Sequence, residues 1–549
     1  MSDCFEIEDV DLLGRVGRLK TRRGVVETPA LAPVVDPSRN IVPPSEIVNA
    51  GFKLLMTNAY LIRKRLGELG VELGVHSILG VSTPVMTDSG AYQLMEYGEV
   101  EVAPLEIVEY QVKLGSDIGV ILDIPTRHGS PREVVEREVE ETLRRAREAL
   151  GVERGGMLLV GPVQGGLYLD IVARAARELS GMDFEVYGVG GPVQLMVNYS
   201  YPELVRLVMT AKMNLPPGKP VHLFGAGNPH MLALAVAMGV DLFDSASYAL
   251  YARDGRYMTP HGVYRLEELE DLPCECPVCS KMEARELREL PSQERVYRLA
   301  LHNLHVLRAE LRRIRNAVRE GRLWELVEQR ARSHPALLQA LREFRRYVAY
   351  VERHHYVTKG VVSGRFYYDL LSRERPETYR HAVRLRERYT PPPADLLVLA
   401  LETDVKPFSR FGWIAELAKA LAADREARGR AHVAVLTGAY GVVPLELDSV
   451  YPLSQYESAI DLDDPLTAEA VASDAAWYVA GARSYAAVLV LYEKGEATAR
   501  AVVERLRRLG YPAYARRFTS VEDAVAFTKL ILRTLARRAR TLRRRTSAA

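Results

Sequence analysis

The chain has 549 residues, of which 48% are hydrophobic and 26% charged, and its 73 Lys and Arg nearly balance its 71 Asp and Glu. This composition is ordinary for a globular protein with a large core, and the length predicts two or three domains. It carries no secretory signal and no apolar run of about 18 residues, so we expect a cytoplasmic protein without a membrane span.

Eight apolar runs alternate with amphipathic helical patterns in the first half of the chain. The runs are 29–35, 52–58, 83–90, 118–126, 157–166, 184–192, 220–228 and 240–247. Helical patterns such as 132–150 and 169–180 separate them. Because this alternation is typical of parallel strands buried on both faces, we expect an α/β fold, a (β/α)8 TIM barrel over residues 1–271. A doubly wound open sheet is the alternative, although no phosphate-binding glycine fingerprint opens the chain.

Polar or glycine residues gather where these runs stop. They are Asp88, Ser89, Asp123, Gln164, Gly190, Gly191, Gly225, Gly227 and Asp244. Asp88 and Asp123 each fit a turn residue, and Asp244 also fits a helix N-cap. Turn preference does not explain their recurrence at the same end of successive strands, where a barrel places its active site. Two carboxylates such as Asp88 and Asp244 can serve as nucleophile and general acid/base in cleaving a glycosidic bond.

A cysteine cluster follows the barrel. Cys274, Cys276 and Cys279 lie within six residues, and His302 and His305 follow on a helical pattern. Three Cys and one His form a closed tetrahedral set typical of one structural Zn²⁺, with no position left for water. We therefore predict a zinc-binding helical subdomain over 272–360, with His302 and His305 as alternatives for the fourth ligand.

The rest of the chain predicts a second, smaller unit. The sequence PPP at 391–393 marks a linker, 361–394, and the apolar strands that follow indicate a C-terminal α/β domain over 395–529. No acidic residue follows Asp523, and arginines crowd a basic tail at 530–549. Such a tail fits phosphate contact, and a solvated helix with a frayed end is the alternative.

Several ordered motifs closely resemble tRNA-guanine transglycosylases, most of all their archaeal branch. They are MTDSGAYQ (86–93), ILDIPT (121–126), GPVQGG (161–166), HLFGAGNPH (222–230), GVDLFDSASYALYARDG (239–255), CECPVCS (274–280) and LHNLH (301–305). The resemblance covers roughly residues 1–360. It implies that guanine at position 15 of the tRNA D-arm is exchanged for 7-cyano-7-deazaguanine through a covalent enzyme–tRNA intermediate, the first tRNA-level step of archaeosine biosynthesis.

The resemblance also implies roles for individual residues. Asp244 matches the nucleophile that attacks ribose C1′, and Asp88 matches the general acid/base. The aromatic Tyr92 matches a side chain that stacks on the base, within a DSGAY stretch that departs from the commoner DSGGF or DSGSF. His302 matches the fourth zinc ligand. The residues that match the family's base-reading positions are Asp123, Gln164 and the backbone of Gly190 and Gly191, with Ser89 beside them.

The C-terminal part of the sequence bears on the partners of this protein. Residues 442–457 resemble the first C-terminal domain of archaeal members, which continue into a terminal PUA-type RNA-binding domain. Too few residues follow the second unit here for another domain. We therefore expect a separately encoded PUA-domain protein, partly replaced by the Arg-rich tail, and a homodimer that binds tRNA. The alternatives are a noncatalytic tRNA-binding paralogue or subunit and an archaeosine synthase-like paralogue acting after exchange; the intact carboxylates favour the exchange enzyme.

Overall fold

The structure is a computed structural model that describes residues 4–91, 103–355, 364–482 and 485–546, with the side chains of the last segment through 538. It divides into two compact units, Met1–Gly360 and Val361–Ala549, and each is described by itself. Among the described helices, none combines the length and the apolar character needed to cross a membrane.

The first unit is built around an eight-stranded parallel barrel. A three-stranded antiparallel sheet precedes it, made of β1 (Phe5–Asp11), β2 (Gly14–Thr21) and β3 (Gly24–Thr28). The barrel strands are β4 (Ala30–Pro33), β5 (Leu55–Asn58), β6 (Val85–Asp88), β7 (Ile118–Val120), β8 (Leu158–Val163), β9 (Val186–Val189), β10 (Val221–Leu223) and β11 (Leu242–Ser245). Strand β11 pairs with β4, and a parallel bridge between Val34 and Met56 joins the two ends of the sheet. The predicted barrel is confirmed, with one strand in each apolar run, and the open-sheet alternative is wrong.

Apolar side chains fill the barrel interior. Met86, Ile118, Val160 and Leu242 belong to one buried cluster contributed by different strands, as expected of a packed barrel core. Three side chains of the antiparallel sheet, Phe5, Leu19 and Val26, join the same cluster. Because β3 leads directly into β4, this sheet covers the end of the barrel at which the strands begin.

Helices surround the barrel because their apolar residues recur at helical spacing. In Arg132–Ala149, the side chains of Val135, Val139 and Leu143 are buried on one face. The helices of this part are Pro44–Asn49, Ala59–Leu66, Glu68–Leu73, Val75–Leu79, Pro104–Lys113, Arg132–Ala149, Leu169–Ser180, Pro192–Val197, Tyr201–Asn214, Pro229–Ala237 and Ser247–Arg253.

A hairpin and a helical region complete the first unit. The hairpin is β12 (Arg256–Thr259) with β13 (Gly262–Arg265). The helices are Ala284–Glu289, Ser292–Glu320, Leu323–Ala331, Pro335–Phe344 and Val348–His354. Arg330 joins two of these helices through a buried bidentate pair with Glu310, at 2.7 and 2.9 Å.

The second unit is a layered α/β domain, as predicted. Its strands are β14 (Arg365–Tyr367), β15 (Leu396–Leu401), β16 (Ala431–Thr437), β17 (Gly441–Pro444), β18 (Tyr456–Ser458), β19 (Ala487–Tyr492) and β20 (Ala513–Arg517). Five of them form a sheet in the order β17-β16-β15-β19-β20, with β17 antiparallel to β16. Helices cover both faces of this sheet. They are Pro376–Glu387, Gly412–Ala423, Pro465–Ala482, Glu496–Arg508 and Val521–Thr546.

The structure differs from the predicted organisation of this unit at two places. Part of the expected linker, 361–394, is folded, because β14 pairs with β18 and the charged Arg375 is buried beside Glu377. Buried ion pairs give no apolar periodicity, which is why the sequence pattern missed this segment. The expected tail begins inside the helix Val521–Thr546, where Ile531 and Leu532 pack against the sheet.

Candidate active site

Asp88 ends β6 at the end of the barrel where the strands stop. One of its oxygens accepts a hydrogen bond from Nδ2 of Asn58 at 3.0 Å, and the backbone N–H groups of Ser89 and Gly90 donate to the carboxylate as well. Burial, reinforced by the negative charges of Asp123 and Asp244, raises the pKa of Asp88 to about 7. Asp88 therefore holds or releases a proton near neutral pH, as a general acid/base must.

Asp123 and Gln164 follow neighbouring strands and contact each other directly. Nε2 of Gln164 donates to Oδ2 of Asp123 at 2.5 Å, while its Oε1 accepts from the backbone N–H of Thr126 at 3.2 Å. Burial raises the pKa of Asp123 to about 6, and the hydrogen bond from Gln164 limits the rise. A Cβ added to Gly190 would lie 2.2 Å from Nε2 of Gln164, so the glycine leaves room for this amide. The pair presents a fixed set of acceptors and donors.

The remaining predicted base-reading residues are placed differently. Ser89 is fully buried, and its hydroxyl donates to the carbonyl of Ile121 at 2.9 Å, tying the end of β6 to the segment after β7. Gly191 has a φ of 73° and stands immediately before the helix Pro192–Val197. Tyr92 lies outside the described residues.

Asp244 belongs to β11 and does not cap the following helix. Its Oδ1 accepts from Nε2 of His222 at 2.8 Å and from the backbone N–H of Gly225 at 3.0 Å. The first N–H of the helix Ser247–Arg253 instead meets Oγ of Ser245 at 3.0 Å. The N-cap alternative for Asp244 is therefore wrong, and its carboxylate sits with Asp88 at one end of the barrel.

The four predicted metal ligands come together. The Sγ atoms of Cys274, Cys276 and Cys279 and a ring nitrogen of His302 all lie within 4.8 Å of one another, whereas His305 is outside this group. Nδ1 of His302 is 3.5 Å from Sγ of Cys276 and 3.3 Å from Sγ of Cys279. Its Nε2 is 2.9 Å from the carbonyl oxygen of Met258, an arrangement that fixes the ring and turns Nδ1 toward the thiols.

The residue after His302 connects this cluster to the barrel. Oδ1 of Asn303 accepts from the backbone N–H of Met258 at 2.9 Å, and its Nδ2 donates to the carbonyl of Tyr248 at 3.2 Å. Tyr248 lies in the helix that follows Asp244. Asn303 thus links the helix that carries His302 to the hairpin and to the helix that follows Asp244.

Sequence reasoning missed two side chains that hold the carboxylates, Asn58 and His222. Asn58 ends the second barrel strand and also accepts from the backbone N–H of Leu61, so it resembles an ordinary helix cap. His222 stands inside an apolar run and is fully buried. Both could have been found as polar residues within buried apolar strands, because a buried polar group needs a hydrogen-bond partner.

Comparisons with known proteins find family models that match both parts of the chain. A family model described as Queuine tRNA-ribosyltransferase (TGT) matches residues 10–336, and a second, described as a domain of unknown function, DUF5591, matches residues 378–510. A protein of Aeropyrum pernix called tRNA-guanine(15) transglycosylase is 52% identical over 378 residues, which are 68% of this chain and 74% of that protein.

Two further relatives carry the same name. The one from Sulfolobus acidocaldarius is 41% identical over 465 residues, 84% of this chain and 90% of its own length. The one from Pyrococcus furiosus is 50% identical over 357 residues, 65% of this chain and 61% of its own length. The family model spans more than half of the chain. The chain therefore belongs to the queuine tRNA-ribosyltransferase (TGT) family.

Proposed function

We propose that this protein exchanges guanine at position 15 of tRNA for 7-cyano-7-deazaguanine through a covalent enzyme–tRNA intermediate. The names of its relatives, tRNA-guanine(15) transglycosylase, support the exchange and its position. The observation that carries the proposal is the placement of two carboxylates with different surroundings at one barrel mouth. Asp88 has a pKa near 7, whereas Oδ1 of Asp244 is held by two N–H donors.

The two carboxylates divide the proposed reaction between them. The Asp244 carboxylate attacks C1′ of the target ribose, the C1′–N9 bond breaks, and its electron pair leaves with guanine. Protonated Asp88 supplies the proton that the leaving base takes up. In the second half, Asp88 removes a proton from the incoming base, whose nitrogen attacks C1′ and releases the Asp244 carboxylate.

Asp123 and Gln164 have the chemistry needed to recognise a guanine-like edge. An ionised carboxylate accepts from the ring N–H and the exocyclic amine of such a base. The amide of Gln164 has two N–H groups, of which one donates to Asp123, and the other can donate to the carbonyl of the base. The target nucleotide must leave its stack to reach this pocket, which favours a partly opened D-arm.

We further propose that the cysteine cluster holds one structural Zn²⁺. A tetrahedral site with Zn–S distances of about 2.3 Å places its ligands about 3.5 to 4 Å apart. The Cys276 and Cys279 sulfurs are 3.6 Å apart, in keeping with that spacing. Since protein atoms fill all four positions, the ion would stabilise the fold and take no part in base exchange.

Base exchange on a tRNA transcript tests the central proposal. Wild-type protein should incorporate radiolabelled guanine and form a complex with tRNA that survives denaturation. Asp244→Ala should do neither, whereas Asp254→Asn, which removes an exposed carboxylate, should behave as wild type. Incorporation by Asp244→Ala at the wild-type rate would show that another residue is the nucleophile. No incorporation by the wild type would leave the noncatalytic paralogue as the better reading.

The homodimer, the PUA-domain partner and tRNA contact by the basic tail are also proposals. Light scattering of the purified chain measures the dimer, and copurification with a PUA-domain protein tests the partner. Truncation at residue 530 would remove the buried Ile531 and Leu532, so substitutions are the better test of the tail. Alanine at Arg543, Arg544 and Arg545 should lower the salt dependence of tRNA binding by about one unit for each lost phosphate contact. An unchanged slope would exclude these arginines from tRNA contact.

A further inference from the structure

His222 lies in the barrel interior one layer below Asp244. In the sheet it pairs with Leu242, the residue two positions before Asp244, and on its other side with Gly188. Its side chain is fully buried, and its ring centre is 4.6 Å from that of Phe224. An imidazole in such a position gives up its hydration, so it needs a specific partner inside the protein.

That partner is one oxygen of Asp244. Nε2 of His222, at 2.8 Å, and the backbone N–H of Gly225, at 3.0 Å, both contact Oδ1. Among the described residues, no group donates a hydrogen bond to Oδ2 of Asp244. The two carboxylate oxygens therefore differ. Oδ1 is held by Nε2 of His222 and by the backbone N–H of Gly225, whereas Oδ2 remains available to a substrate.

The surroundings of His222 also determine which ring nitrogen carries the proton. Nδ1 is buried and has no hydrogen-bond partner, so a proton there would be an unsatisfied donor. A carboxylate oxygen can only accept, and Nε2 is the nitrogen that faces it. The arrangement requires the tautomer with its proton on Nε2.

We propose that His222 is the positioning residue of the nucleophile: its Nε2–H anchors Oδ1 of Asp244 and thereby directs Oδ2 at C1′ of the target nucleotide. This inference rests on the proposed function, because it assigns an attacking oxygen only if Asp244 is the nucleophile. Its basis is the buried side chain of His222 and the one-sided hydrogen bonding of the carboxylate.

The same contact serves both halves of the exchange. In the first, the Oδ2–C1′ bond forms as the C1′–N9 bond breaks, and Oδ1 becomes the carbonyl oxygen of the glycosyl ester. In the second, the incoming base forms a new C–N bond, the Oδ2–C1′ bond breaks, and the electron pair returns to the carboxylate. Nε2–H of His222 stabilises the charge that returns to Oδ1, as preorganised donors do in acyl transfer.

A pair of substitutions separates this role from simple packing. His222→Leu fills the space without a donor, and His222→Gln keeps an N–H that can reach Oδ1. We expect His222→Leu to lower kcat for guanine exchange about 100-fold. Its KM for tRNA should change by less than about 3-fold, because tRNA binding does not use this contact. His222→Gln should recover at least about a tenth of the wild-type kcat.

The controls distinguish failure of this inference from failure of the proposed function. Equal kcat for wild type and His222→Leu, or equal losses in the Leu and Gln variants, would overturn the positioning role while leaving the exchange reaction intact. A wild type that does not exchange guanine, or an active Asp244→Ala variant, would instead overturn the proposed function.

A spectroscopic test does not depend on whether His222→Leu folds. Wild-type protein labelled with ¹⁵N-histidine should show a His222 ring with its proton on Nε2, assigned by the loss of its signals in His222→Gln. The Asp244→Ala variant should shift that Nε2–H signal, because it removes the acceptor. A His222 ring protonated on Nδ1 in the wild type, or an Nε2–H signal unaffected by Asp244→Ala, would contradict the proposal.

Discussion

The variant Asp88→Asn should make the protein more stable at alkaline pH while it abolishes base exchange. In the folded protein Asp88 has a pKa of about 7, chiefly because it is buried and secondarily because Asp123 and Asp244 repel its charge. In the unfolded chain the same group returns to its ordinary pKa of 3.8. Keeping the carboxylate ionised near neutral pH therefore costs folding free energy, and an amide at this position does not carry that cost.

The sign and size follow from the two pKa values. A carboxyl group whose pKa is raised by folding stabilises the folded state fully below pH 3.8, and this stabilisation is lost as the pH rises through about 7. Between pH 5 and pH 8 the loss has a ceiling of about 3 kcal/mol, at about 1.4 kcal/mol for each pH unit. Because Asp88 keeps some exposure, solvent screening reduces the expected loss to about 1–1.5 kcal/mol.

Thermal unfolding of both proteins at the two pH values measures this effect. The difference in Tm between Asp88→Asn and wild type should be larger at pH 8 than at pH 5 by about 2 °C. Comparing the two pH values cancels any change in hydrogen bonding that does not depend on pH. Asp254→Asn, at an exposed position, controls for the loss of one negative charge. A difference that stays constant or shrinks toward pH 8 would refute the assignment of a raised pKa to Asp88.

Three further predictions concern the acid, the base pocket and the metal. Single-turnover release of guanine should fall as the pH rises through about 7, because Asp88 must be protonated to serve the leaving base; a rate that rises through this range would exclude Asp88 as the acid. Gly190→Ala places a Cβ 2.2 Å from Nε2 of Gln164, so the KM for the incoming base should rise about 10-fold. Gly218→Ala, whose new Cβ meets no atom within 4 Å, should leave this KM unchanged. Equal KM values for Gly190→Ala and the wild type would exclude Gln164 from base recognition. Cys276→Ala should lose bound zinc and lower Tm by several degrees, whereas Cys4→Ala, outside the cluster, should keep the metal; full zinc content in Cys276→Ala would refute the ligand set.

The barrel and the second α/β unit could be predicted because their signals are local. Each barrel strand is a short apolar run, and each run is followed by a pattern of helical spacing, as in Arg132–Ala149. The antiparallel sheet before the barrel was not predicted, since β1 contains four acidic residues among its seven and therefore shows no apolar run. The folded segment around Arg375 was missed for a related reason, because charged pairs replace apolar contacts there.

The sequence predicted which side chains gather at the site. It did not predict the hydrogen bonds and close contacts that orient them. Strand ends that carry Asp88, Asp123, Gln164 and Asp244 meet at one end of any parallel barrel, so their proximity follows from topology. The contacts that orient them depend on the third dimension. No sequence spacing predicts the hydrogen bond between His222 and Asp244 or the close packing of Gly190 against Gln164.

The antiparallel sheet beneath the barrel determines from which end the two bases can reach the carboxylates. Phe5, Leu19 and Val26 close that end and apolar side chains fill the interior, so in the part of the chain that the structure describes the carboxylates are approached from one mouth. In the proposed reaction, outgoing guanine and the incoming base then share one passage and one binding position. Exchange through such a site follows ping-pong kinetics, in which free guanine competes with its replacement and drives the reaction backward. The extent of tRNA modification would therefore follow the ratio of the two free bases rather than the amount of either one.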